Sequence, residues 1–143
     1  MAIGAHTLSS STAGSANIAI GTDAGSSNTI GGQNIYIGDA AGVDNESGGE
    51  NILIGSRAGA GDGGHDKSGN VMIGWQAGTL NEGSNNTFFG FGSGIDNLGS
   101  DNVFIGNFSG VGLSQNTSNT LSWLSFSITI FNKPLAGFGN NLN

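Results

Sequence analysis

A chain of 143 residues with 28 glycines, one proline, no cysteine and 36% hydrophobic residues is poor in apolar side chains for a compact globule of its size. It holds neither a disulfide framework nor a thiolate metal site. A formal net charge of −7 with only Arg57, Lys67 and Lys133 as cations argues against a nucleic-acid partner, because phosphate binding needs clustered Lys and Arg. No apolar run reaches the length that spans a bilayer, so membrane insertion is not expected.

The glycines have no three-residue period, which excludes collagen, and Ile, Val, Leu and Phe recur at regular intervals, unlike a disordered linker. From the start, Met1-Ala-Ile-Gly4 aligns with Ile18-Ala-Ile-Gly21, so the chain opens inside a repeat. Met1-Ala-Ile-Gly-Ala-His6 shows no basic region and no apolar core of a secretory signal. That fits a chain assembled in the cytoplasm, as virion parts are, or a piece of a longer exported protein.

Six copies of one nine-residue pattern follow: Asn17-Ile-Ala-Ile-Gly-Thr-Asp-Ala-Gly25 and its equivalents from Asn34, Asn51, Asn70, Asn86 and Asn102. The central glycines, from Gly4 through Gly21, Gly38, Gly55, Gly74, Gly90 and Gly106, are spaced 17, 17, 17, 19, 16 and 16 residues apart. A fixed period this short is too brief for a pair of helices. It suits a short strand with a return loop, stacked coil on coil. The expected fold is all-β, a parallel β-solenoid of about seven coils of 16–19 residues over 1–119. At about 4.8 Å per coil the stack is roughly 34 Å long.

Within each repeat the pattern predicts a strand of about four residues and a glycine turn. A small-residue corner comes next (Ala24, Ala41, Ala58, Ala77, Ser93, Ser109), and then a polar loop. The recurring Asn at 17, 34, 51, 70, 86, 102 and 119 reads as a stacked amide column that bonds along the stack and satisfies backbone groups at the turn. Strand side chains alternate between faces. Ile18, Ile35, Ile52, Val71, Thr87 and Val103 share one face with Ile20, Ile37, Ile54, Ile73, Phe89 and Ile105. Ala19, Tyr36, Leu53, Met72, Phe88 and Phe104 share the other.

Both faces are apolar, although a single-chain solenoid needs only one buried face per strand. The second stripe, growing from Ala19 to Phe104, is therefore expected to be a seam between copies of the chain. The alternative is a covering segment of the same chain. Beyond Gly110, Asn119-Thr-Leu-Ser-Trp123 keeps the register with Trp123 in the glycine's place, and Leu124–Phe131 alternates apolar and hydroxyl residues. Residues 120–143 read as a C-terminal cap or a docking segment. Head-to-tail docking there would build a filament.

No residue is assigned a catalytic, cofactor-binding or metal-binding role, and no cofactor is expected. The hexad Ile54-Gly-Ser-Arg-Ala-Gly59 matches the aliphatic-Gly-x-x-small pattern of hexapeptide-repeat acyltransferases. It occurs once per coil instead of three times, and His6 and His65 sit in loops with no carboxylate placed to orient them. Asp62–Lys67 and Asp44-Asn-Glu46 are oxygen-rich loops without a calcium-binding spacing, and read as solvated acids. The position after the turn glycine (Thr22, Asp39, Ser56, Trp75, Phe91, Asn107) carries no threonine array of the sort that binds ice.

Ile20-Gly21 with Ala24-Gly25, repeated across residues 1–119, resembles the repeat regions of trimeric phage tail fibres and of the β-roll heads of trimeric autotransporter adhesins. The resemblance implies an elongated homotrimer, carried on a virion or cell surface, that serves as a fibre or adhesin shaft and binds a host-surface glycan or protein. The other readings are a self-assembling extracellular filament subunit and, third, an acyltransferase-like enzyme.

Overall fold

The structure, a computed structural model, describes residues 1–61, 67–112 and 121–123. One parallel sheet contains β1 (Ala2–Ile3), β2 (Ile18–Ile20), β3 (Ile35–Ile37), β4 (Ile52–Ile54), β5 (Val71–Ile73), β6 (Thr87–Phe89), β7 (Val103–Ile105) and β8 (Leu121–Trp123), in chain order. It is the all-β solenoid that the glycine spacing predicts. Ala2 pairs with Ala19, Ile18 with Ile35, Ile35 with Ile52, Ile52 with Val71, Val71 with Thr87 and Thr87 with Val103, so the strand register repeats the glycine register.

One step departs from it. Trp123 pairs with Ile105, whereas the sequence register sets it opposite Gly106. The sheet also runs through Trp123, past residue 119. The expected cap beyond Trp123, including Leu124–Phe131, lies outside the described residues.

The turn after each strand depends on glycine. Gly38 has φ +134°, and a Cβ there would sit 2.5 Å from the Gly55 carbonyl oxygen, so any other residue would push two coils apart. Left-handed residues then alternate with others around the coil. Arg57 (φ +59°) sends its N–H back to the Asp39 carbonyl at 2.8 Å, and Gly59 (φ +63°) sends its N–H forward to the Ala77 carbonyl at 2.8 Å. Between them the Ala58 N–H closes a turn on Gly55 at 3.1 Å. The backbone ladder therefore continues beyond the sheet into the return segment, which satisfies amides that a loop would leave to solvent.

The corner residues fall where the sequence sets them: Ala24, Ala41, Ala58, Ala77, Ser93 and Ser109 are fully buried. They form a wall facing the strands. Opposite them lies a single column of Ala19, Tyr36, Leu53, Met72, Phe88 and Phe104, with the Phe88 and Phe104 rings stacked at 5.0 Å. The wall glycines make room for it, since a Cβ on Gly59 would lie 2.7 Å from Leu53 Cδ1.

This corrects the expectation of an inter-chain seam at residues 36, 53, 72, 88 and 104. The column is the core of its own coil, enclosed by the same chain. The flanking columns, expected inside, are outside: Ile18 is 37% exposed, Ile105 47% and Phe89 55%.

Ala58→Leu is expected to destabilise by about 1–3 kcal/mol through overpacking, while Ser56→Leu at the partly exposed turn is nearly neutral. Thermal melts of the two variants check this, and equal tolerance would contradict the placement of the wall.

Candidate functional site: polar columns inside and an apolar stripe outside

The repeat Asn residues at 17, 34, 51, 70, 86 and 102 each enter the coil immediately before a strand and are buried, while Asn119 lies outside the described residues. The side-chain carbonyl of one accepts the backbone N–H of the next in the column: Asn34 N–H to Asn17 at 2.9 Å, Asn51 to Asn34 at 3.0 Å, Asn70 to Asn51 at 3.0 Å, Asn86 to Asn70 at 2.9 Å and Asn102 to Asn86 at 2.9 Å. The amide nitrogen donates to a loop carbonyl, as Asn17 does to Gly31 at 2.7 Å and Asn51 to Lys67 at 2.7 Å. The expected amide column is therefore present, with the role in backbone satisfaction that the sequence suggests.

A second buried column, Asn28, Asn45, Asn81 and Asn97, escaped sequence reasoning. Its signal is an Asn eleven positions after the repeat Asn at 17, 34, 70 and 86. Asn81 and Asn97 bridge to each other at 2.8 Å and close onto the Gly83 and Gly99 carbonyls. Asn28 and Asn45 both donate to the Tyr36 hydroxyl, at 2.9 and 2.5 Å.

Burial pushes the Tyr36 phenol above its usual value near 10, against the two Asn donors that pull it down. A phenol with a raised folded-state pKa contributes stability that is complete below the unfolded pKa and is lost as pH rises through the folded value. Tyr36 is the only tyrosine, so its ultraviolet absorbance reports this one group. The titration midpoint is expected to be higher in the folded protein than once urea has unfolded it. Coincident titrations would place the ring in solvent.

The candidate polar chemistry stays dispersed. His6 Nδ1 meets Asp23 Oδ1 at 3.2 Å in the open, a surface pair of small energetic weight. Asp44 Oδ2 accepts the Gly61 N–H at 3.1 Å, which gives it a structural role, and Glu46 is exposed. His65 and most of the Asp62–Lys67 loop lie outside the described residues. Among the described residues, no three His, Cys, Asp or Glu side chains gather where they could hold a metal ion. A cavity of about 20 Å³ lined by Asp44, Asn45, Leu53, Lys67, Met72 and Asn81 has room for about one water molecule.

What the strand face presents outward is apolar. The two flanking strand columns run from Ile18 and Ile20 to Val103 and Ile105, each position paired with its neighbours along the stack and half-buried or exposed. Beside them, at the turns, Trp75 and Phe91 stack at 4.5 Å, and Phe108 packs edge-on against Phe91 at 5.2 Å.

These features define a single-chain parallel β-solenoid with amide-lined corners, a one-column core and an apolar outer sheet face. Comparison with family models, with curated proteins and with solved structures returns no match.

Proposed function

We propose that the protein is a structural shaft, a fibre or adhesin segment of a virion or bacterial surface that works as a homotrimer and contributes to attachment to a host-surface glycan or protein. The observation that carries this reading is the uninterrupted ladder. From the Asn17 coil to the Asn102 coil, each bonds to the next through its sheet, its return segment and its asparagine column, a design that extends by adding coils end to end. The repeat resemblance to trimeric tail fibres and adhesin heads supports the same reading. Its low cation content suits an exposed role, since Arg57, Lys67 and Lys133 are the only sites for proteases that cut after basic residues.

Light scattering combined with small-angle X-ray scattering tests it. The shaft reading expects about three times the 14.2 kDa chain mass and the scattering profile of three stacks of roughly 34 Å lying side by side. A compact monomer would overturn it.

A further inference from the structure

We infer that the cavity between Asn45 and Asn81 is a binding site for ordered water, which takes the place of a missing asparagine amide and carries the second asparagine column across the long coil between Gly55 and Gly74.

The second column has a direction. Asn97 Nδ2 donates back to Asn81 Oδ1 at 2.8 Å and to the Gly99 carbonyl of its own loop at 2.6 Å, so an amide gives its nitrogen to the coil before it and its oxygen to the coil after it. Asn45 follows the same rule. Its Nδ2 donates to the Tyr36 hydroxyl, which Asn28 of the preceding coil also reaches, and to the Gly48 carbonyl of its own loop. Its Oδ1 is left toward the coil that starts at Asn51. A Cβ added to Gly48 would strike both this oxygen and the Lys67 carbonyl of that following coil, which places the oxygen on the same side.

The amide that should meet it is missing. An Asn stands eleven positions after the repeat Asn at 28, 45, 81 and 97, but after Asn51 the chain reads Asp62, which lies outside the described residues. Asn45 is 7% exposed, and its Oδ1 is buried without a hydrogen-bond partner. On the far side, Asn81 Nδ2 donates to the Gly83 carbonyl at 2.7 Å and has a second proton to place. The other unpartnered oxygens of the column, on Asn28 and Asn97, obey the same rule. After Asn28 comes Asn45, whose nitrogen is already used, and after Asn97 comes Leu113.

Asn45 and Asn81 both line the cavity of about 20 Å³, with Leu53 and Met72 on its core side. Its occupant must donate to one amide and accept from the other, in a space of about one water molecule. Water does both. A metal cation would suit the Asn45 oxygen but would face the Asn81 N–H and Lys67, which also lines the cavity, and both are of its own sign. An apolar guest would leave both amides unpaired.

A high-resolution crystal structure of the full chain and oxygen-17 relaxation dispersion of its water test the site together. The expected result is a water peak within about 3.2 Å of Asn45 Oδ1, joined directly or through a second water to Asn81 Nδ2. In solution a long-lived water signal is expected that Asn45→Leu, of matched size, lowers by about one molecule or more. If Asn45→Leu fails to fold, the crystal structure of the unmodified chain decides alone. A dry cavity, a protein side chain seated in it, or a melting temperature that rises in calcium chloride and falls in EDTA through an ion bound there overturns the inference.

Discussion

Leu53→Asp is expected to unfold the protein. Leu53 is 4% exposed and lies in the one-column core between Tyr36 and Met72, against the wall glycines. An unpaired carboxylate there has no donor to meet, and the cost is several kcal/mol, a large share of the stability of a domain this size. Because each coil is held only by its neighbours, losing the fourth strand also uncouples the coils on either side. Leu53→Met should cost under about 1.5 kcal/mol, since the next coil already uses Met72 in the same column. Circular dichroism melts read both. Folded monomers released by Leu53→Asp would instead make the column a contact between chains.

The second large effect belongs to Asn51→Leu, which matches the side chain in size and removes its polarity. The Asn70 N–H loses its acceptor, and the Lys67 carbonyl and Asn34 Oδ1 lose the Asn51 amide donor. Asn34 Oδ1 keeps the backbone N–H of residue 51, so the Asn70 N–H and the Lys67 carbonyl are the groups left short, and at about 1–3 kcal/mol each they make a total of roughly 2–6 kcal/mol. Hydrogen exchange should localise the damage, with the Asn70 amide losing protection first. A melting temperature unchanged from the parent chain would show that the column is decorative.

The period, the turn and the wall were legible because each rests on a residue with one physical use. Gly38 and its equivalents stand where a Cβ would strike the next coil, and Ala58 and its equivalents stand where the core column needs space. Strand parity was harder to read, because both faces are apolar and hydropathy gives alternation no sign. The deciding clue was the asparagine. A residue that satisfies backbone groups inside the coil points inward, so Asn17 inside puts Ile18 outside, Ala19 inside and Ile20 outside. The uniform isoleucines resembled a core, whereas the varied column from Ala19 to Phe104 was the core, its size changes met by flexible Met72 and stacked Phe88 and Phe104.

The second asparagine column was visible as a period but lay in loops, where Asn is commonplace. The register of Trp123 was not legible, because coils of 16 to 19 residues absorb their extra length away from the strand.

The most direct measurement of the inward and outward assignment is a nuclear Overhauser experiment on labelled chains diluted into unlabelled ones, so that the cross-peaks read intrachain proximity. The structure predicts strong cross-peaks from the Leu53 methyl groups to the Gly59 α-protons and the Ala58 methyl group, with none to these from Ile52 or Ile54. Cross-peaks from Gly59 to Ile52 or Ile54 in place of Leu53 would reverse the parity, and with it both the core and the outward stripe.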